Sequence, residues 1–281
     1  MDLVITLLAD LRRSPELLAN LTRREVKGKY KRTLLGQLWS LANPIALMII
    51  YTAVFSVIIR VRAEPGDPSG LDVFAVWLMC GLLAWSFFTN VVTSGMGALV
   101  ANENLIKKVY FPRITLVAAS SLAALFTWAI EMAVLAVVLL VIGADLWLWI
   151  PGVLAMMALL ALFSMGVAMI LSIANVHFRD TQHLMSIVFQ AWFYLSPVLY
   201  PVSLVKEHSD SFGQVLGFTT LIDIYRLNPM ERFIEVFRNL LYDNRMPELD
   251  SLLYCVGWTA VALVLGGWVF ARNQKKLAEA L

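Results

Sequence analysis

Residues 114–142 read ITLVAASSLAALFTWAIEMAVLAVVLLVI, a run of 29 positions whose one charge is Glu131. An α-helix rises 1.5 Å per residue, so roughly 20 apolar residues cross the ~30 Å hydrocarbon layer of a bilayer. This run exceeds that length. Working outward from it, five more stretches come near or beyond the same length, at 38–59, 73–100, 146–176, 184–200 and 251–270. Pro151 and Gly152 predict that the helix of the fourth stretch begins there. None of these runs shows the period-2 alternation of a strand, and a single chain crosses lipid only as helices or a closed barrel. The expected fold is therefore all-α, a polytopic membrane protein with six transmembrane helices.

Composition agrees with that reading. Of 281 residues, 60% are hydrophobic and 15% charged, with a mean hydropathy of +0.75. Soluble domains carry about 25% charged residues. The balance excludes an ordinary cytosolic enzyme, a disordered scaffold and a secreted disulfide module. Cys80 and Cys255 lie inside apolar runs and read as small buried hydrophobes. Residues 3–9 are too short an apolar stretch, with Asp2 before them and no small-residue site behind, to read as a cleaved signal peptide.

Lysine and arginine set the orientation. Fifteen of the 22 basic residues fall before the first run, between the second and third, between the fourth and fifth, and after the sixth. The other seven lie on the opposite side, together with 12 of the 20 acids. Both termini are thus expected in the cytoplasm, and the formal net charge of +2 conceals a basic inner side and an acidic outer one. Residues 1–37 form an expected cytoplasmic interface region, 38–271 the membrane domain with an external segment at 201–250, and 272–281 a cytoplasmic tail.

The interface region places Val26, Tyr30, Leu34 and Leu38 on one helical face and Arg23, Lys27 and Lys31 on another. That pattern predicts a basic amphipathic helix over 21–41 lying in the headgroup layer, either as a topological anchor or as a docking surface. Gly36 and then Asn43-Pro44 predict a bend and a fresh helix start, with Asn43 as the cap. In the external segment, Met230, Phe233, Ile234, Phe237, Leu240 and Leu241 form an apolar stripe with Glu231, Arg232, Glu235 and Arg238 opposite. Two short re-entrant helices dipping into the outer leaflet, broken at Asn228-Pro229, are expected there.

No phosphate-cradling loop, metalloprotease pair, nucleophile elbow or paired thiolate motif occurs, so no catalytic or metal-binding residue and no cofactor is assigned to this chain. His177, Asp180 and His183 are close in sequence and read as a solvated turn. Glu131 has to face the bundle interior, because an ionisable group at mid-span costs about 2.5–3.5 kcal/mol. It is either a hydroxyl acceptor in a conduit or a buried hydrogen bond that fixes packing. Tyr51, Phe55, Trp85, Phe88, Trp192 and Tyr194 are candidates to line a sugar-compatible conduit, since sugars stack on aromatic faces; membrane aromatics also serve as interfacial belts.

Four segments together resemble the permease subunits of ABC-2 type polysaccharide exporters, the family that moves O-antigen, teichoic acid, galactan and related lipid-linked polymers. They are 23–31 (RREVKGKYK) with LGQLW at 35–39 and Asn43-Pro44; NLIKKVYFPR at 104–113; NVHFRD at 175–180 with SPVLYP at 196–201; and Leu227-Asn228-Pro229. The resemblance implies a homodimer paired with two copies of a separate ATPase subunit, which would hold ATP and magnesium. It implies that Arg23, Arg24, Lys27, Tyr30 and Lys31 lie at the cytoplasmic interface. Leu105, Ile106, Lys107, Lys108, Tyr110, Phe111 and Arg113 would form a coupling helix docked into the ATPase, with Phe178, Arg179 and Asp180 a second contact. It further implies location in the bacterial inner membrane, a lipid-linked glycan substrate, contact with membrane lipids and no nucleic-acid partner. An ABC-2 permease for a drug or small lipid, and a membrane-embedded glycosyltransferase, are the competing readings.

Overall fold

The computed structural model describes residues 11–29, 31, 36–58, 65–212, 220–274 and 277, and among them there is no β-strand. Among the described residues, four helices have the length and apolarity to cross a membrane: α3 (Phe74–Ala101), α5 (Ile114–Val141), α6 (Ile150–His177) and α11 (Leu249–Asn273). Around them are α1 (Pro15–Lys29), α2 (Trp39–Tyr51, continued by a π-helical turn over Thr52–Ile58), α4 (Glu103–Lys108), α7 (Thr181–Tyr194), α8 (Val202–Phe212), α9 (Leu221–Tyr225) and α10 (Pro229–Arg238).

Four of the six expected spans are thus full-length helices. The first expected span is the shorter α2 with its π continuation, and the fifth is α7, 14 residues long, followed by turns over 195–200. Pro197 explains that early stop: it has no N–H to donate and disfavours helical backbone in the residue before it. The α6 helix begins at Ile150 with Pro151 in its first turn, close to the expected start.

Two expectations at the N-terminal side are corrected. The helix expected over 21–41 is α1, which begins at Pro15 and ends at Lys29; Tyr30 and Leu34 lie outside the described residues. It buries Leu21 and packs along α5. The second helix starts at Trp39, ahead of Asn43, so Pro44 sits inside it. Gly36 has φ +53°, a left-handed backbone that glycine adopts without strain, and the 3-10 turn Gly36–Leu38 that follows initiates the helix early.

The core has two parts. The smaller gathers Leu21 of α1, Leu99 of α3, Ile106 of α4, Ile114 of α5, Val176 of α6 and Phe270 of α11 at one end of the bundle. The larger fills the rest, where α10 is inserted among α3, α6 and α11. Its apolar stripe is fully sequestered, and the break at Asn228-Pro229 is as expected, with Asn228 Oδ1 accepting from the Met230 N–H at 3.0 Å. The α6 and α11 helices approach at Gly166 and Gly266, where a Cβ on either would overlap the partner's backbone. Small residues at such a crossing let two apolar helices meet backbone to backbone.

Candidate functional site

One end of the bundle gathers the basic loops. In α4, Ile106 is buried and Leu105 half-buried, anchoring the short helix, while Lys107 and Lys108 remain exposed. Lys107 pairs with Glu103 at 2.7 Å, and this bond holds the Glu103 carboxyl below its usual value, with a smaller contribution from Arg179. The loops 103–113 and 178–180 therefore lie within electrostatic reach of each other. Arg24 ties α1 to the same place, its Nη2 donating to Asn102 Oδ1 at 2.6 Å.

Beyond α4, Val109 is exposed and Tyr110 is 100% exposed; Phe111 and Arg113 are half-buried. Phe178, Arg179 and Asp180 are all exposed, as are Arg23, Lys27 and Lys31, whereas Tyr30 lies outside the described residues. A patch of bare Val109, Tyr110 and Phe178 rimmed by lysine and arginine can anchor a partner by apolar contact and select it by charge.

The aromatics expected along a conduit divide. Phe88 is fully buried, and Trp85 nearly so. Phe88 stacks on Phe163 with centroids 5.6 Å apart and meets Trp192 edge-on at 5.3 Å. Trp85 meets Trp192 at 5.9 Å. These contacts bind α3, α6 and α7 to one another, each such pair contributing about 0.5–1.5 kcal/mol beyond its area. Within the chain, Trp85 and Phe88 are packing residues; Tyr194 is exposed, and Tyr51 and Trp192 are half-buried. The backbone at Phe55 is π-helical. Glu131 is half-buried on α5, and Lys29 at the end of α1 is the charged group whose field reaches it.

At the opposite end, α10 departs from expectation. Glu231, Arg232 and Arg238, expected on a polar face, are buried with the apolar stripe. Arg238 explains how a guanidinium is tolerated there. Its Nη1 donates to the Pro197 carbonyl at 2.6 Å, its Nη2 to the Val198 carbonyl at 2.8 Å, and its plane lies 3.5 Å from the centroid of Trp77. Two charge-assisted hydrogen bonds to successive carbonyls and a cation–π contact replace part of its lost hydration, while Nε is left without a partner. Asn228 holds the other side of the same turn. Its Nδ2 donates to Ser196 Oγ at 2.8 Å and to the Leu195 carbonyl at 3.3 Å, and its Oδ1 accepts from Trp192 Nε1 at 2.8 Å. The turn that ends α7 is therefore clamped to both ends of α10. Arg232 donates to Ser251 Oγ at 2.7 Å and lies 3.4 Å from Glu231 and 3.6 Å from Asp250, joining α10 to α11.

Sequence reasoning also missed a polar face on α3. Asn90, Thr93 and Ser94 are exposed on a helix long enough to span the bilayer. Their recurrence one turn apart was the signal available.

The profile of the ABC-2 type transporter family matches residues 16–242. The chain belongs to that family. It is 28% identical over 280 residues to an O-antigen export system permease protein, RfbA, of Myxococcus xanthus, covering 99% of this chain and all of that one. A second RfbA, from Klebsiella pneumoniae, is 28% identical over 268 residues, covering 95% of each chain. The polysialic acid transport protein KpsM of Escherichia coli is 24% identical over 258 residues, covering 90% of this chain and 92% of that one. This family member is accordingly a multi-pass membrane permease.

Proposed function

We propose that this chain is the membrane subunit of an ATP-driven exporter that carries a lipid-linked polysaccharide of O-antigen type from the cytoplasm across the bacterial inner membrane. The observation that carries the reading is similarity along nearly the whole chain to permeases whose names specify O-antigen export. The working unit is a homodimer with two copies of a separate ATPase, which holds ATP and magnesium, and both termini are cytoplasmic.

The geometry supports a route for the power stroke. A partner seated on Tyr110, Phe178 and the flanking lysines would push on α4, whose Ile106 is rooted between the ends of α3, α5 and α6. The same partner would bear on 178–180, where α7 begins; α7 ends in the turn clamped to α10. Packed interfaces respond to such pressure as rigid-body shifts rather than continuous deformation. A polymer longer than any single pocket requires a continuous conduit between two subunits, with Tyr51, Phe55, Glu131, Trp192 and Tyr194 its candidate lining.

Replacing Lys107, Lys108 and Phe111 together by alanine tests the coupling. Export of surface polysaccharide should stop while the permease remains in the membrane. Full export by that triple variant would overturn the assignment. An N-terminal reporter digested by external protease in intact cells would overturn the orientation.

A further inference from the structure

The proposed function leaves unused the ionisable groups that α10 buries. Glu231 is fully enclosed, and neither of its carboxylate oxygens has a hydrogen-bond partner. Arg232 Nε lies 3.4 Å from Glu231, but its Nη1 is also 3.8 Å from Glu235 and 3.6 Å from Asp250, and it donates to Ser251 Oγ at 2.7 Å. One guanidinium is thus shared among three carboxylates. The other cation on the helix, Arg238, is taken by two carbonyls and a ring.

Asp250 is largely exposed, so water supports its charge. Glu231 has no such support, and an enclosed anion that lacks both a full counter-charge and hydrogen bonds is relieved by taking up a proton. Glu235 stands one helical turn away on the same face, with its Oε2 buried and unbonded. It also lines a recess of about 220 Å³ at the end of the bundle opposite the basic loops, whose walls include Asp67, Ser203 and Asp243. Protons therefore have a route, from that recess to Glu235 and across one turn to Glu231.

The proton decides what Arg232 holds. While Glu231 is neutral, the guanidinium is left to Ser251 and Asp250, and α10 is bound to α11. Once ionised, Glu231 draws the guanidinium toward itself and away from α11, and it repels Glu235. We infer that Glu231 and Glu235 form a proton-binding site, filled from the outer recess, whose occupancy fastens α10 to α11 and slows export as external pH falls. This control rests on the export reading and the orientation proposed above, and it acts at the joint between α7 and α10. Burial, reinforced by the charge of Glu235, pushes Glu231 up to about 7, so both states are populated near neutrality.

Other ionisable groups face the pair from the elements packed around it. Tyr225, bonded to Tyr200, and Arg226 approach from α9; Cys255 accompanies Asp250 on α11, and Glu248 precedes that helix. Cys80 of α3 faces Arg238, and Arg245 acts on Glu235 from beyond α10. The α6 helix carries no ionisable side chain except His177 at its far end. Arg226 favours the ionised form of both glutamates, but burial outweighs it and raises both. Asp243, on the same recess, is also raised by burial, to about 6, so the test has to separate it from Glu231.

The test follows the full permease with its ATPase in nanodiscs by infrared difference spectroscopy between about pH 8 and pH 5. The band of a buried protonated carboxyl should grow in with a midpoint of about 7, vanish in Glu231→Gln and persist in Asp243→Asn. Glu235→Gln removes a like charge and should lower that midpoint by about one pH unit. No such band, or one that Glu231→Gln retains, overturns the site. In cells, moving the medium from about pH 8 to about pH 6 should cut export of surface polysaccharide about tenfold, as the ionised fraction of a group titrating at about 7 falls. Glu231→Gln should export at the parent's low rate at both values. Glu235→Gln should move the whole export profile about one unit toward acid, which a misfolded variant cannot do. Parent export indifferent to pH, or a Glu235→Gln profile that stays in place, overturns the control. Absence of polysaccharide export at every pH with the band intact rejects the export reading and keeps the proton site.

Discussion

Glu103 and Lys107 at one end of the bundle, and Glu231, Arg232 and Arg238 at the other, are charged residues at helical spacing on short helices, yet their environments are opposite. The first pair is exposed and closes on itself at 2.7 Å. The second group is buried, and its cations are met by carbonyls of another turn, by a serine and by an aromatic face, with the Nε of each arginine left unbonded. Similar patterns of charge thus make a solvated rim in one place and an internal clamp in the other. What distinguishes them is the neighbour each helix meets: open surface beside α4, three packed helices around α10.

The largest expected effect lies in the clamp. Arg238→Ala removes the donors of two buried carbonyls and the contact with Trp77, and breaking a buried charged interaction of this kind costs about 3–5 kcal/mol. The thermal unfolding midpoint in detergent should fall accordingly. Arg238→Lys should recover only part, since an ammonium cannot reproduce the two-pronged bond. Gly81→Ala approaches the same contact from α3, because its Cβ would lie 2.9 Å from Arg238 Nη2. An Arg238→Ala variant as stable as the parent would erase the contrast between the two ends.

Next in size is Asn228→Ala. Loss of a helix N-cap costs about 0.5–2 kcal/mol, and here Trp192 Nε1 and Ser196 lose a partner as well. Asn228→Asp separates the two roles. It keeps the acceptor for Met230 N–H and Trp192 Nε1 but has no donor for the Leu195 carbonyl. It should therefore fall between parent and alanine variant by the same midpoint.

These two residues show where the sequence was legible. Asn228-Pro229 is a local signal, a cap followed by proline at the first helical position, and it placed the start of α10 correctly. The long apolar runs likewise located four spans, because length and hydropathy act within a single helix. Arg238 had no local signal. Its carbonyl partners are 40 and 41 residues away, and an amphipathic helix exposes or buries its polar face according to tertiary neighbours that periodicity does not contain. The same gap hid the role of Trp85 and Phe88, whose burial depends on α6 and α7 closing over them. It also misplaced the start of α2, where the Gly36 turn acted before the Asn43-Pro44 signal.

Acidification should pull the two ends in opposite directions. Burial pushes Asp243 up to about 6, and burial reinforced by Glu235 pushes Glu231 up to about 7. For both, the folded state holds its proton more tightly than the unfolded chain. Their contribution to stability is full below about pH 4 and is lost as pH rises through 6 and 7, roughly 2–3 kcal/mol for each. Glu103, depressed by Lys107, has the opposite sign: its contribution is present at neutral pH and is lost as pH falls below the ordinary carboxylate range. Amide exchange followed from pH 7 to pH 4, corrected for intrinsic rates, should show α10 gaining protection with α4 unchanged, and α4 should lose protection only on further acidification below pH 4. Asp243→Asn should remove part of the gain without touching α4.

The smallest effect is the most selective one. The Glu103–Lys107 pair stands in water, where mobile ions screen a charge within about 8 Å at physiological ionic strength. Raising sodium chloride to 0.5 M should therefore mimic Lys107→Gln, loosening α4 slightly and leaving nothing further for that variant to lose. Arg238 is buried, and although a recess lined by Trp77, Glu235 and Asp243 reaches it, its partners are two carbonyls and a ring, neutral groups whose short contacts added salt screens far less. Exchange of the α10 amides should be indifferent to the same salt. If α10 loosened in parallel with α4, ions would be reaching the guanidinium, and the clamp would have to be an open, hydrated contact instead of the buried joint that the proposed transmission from α7 to α10 requires.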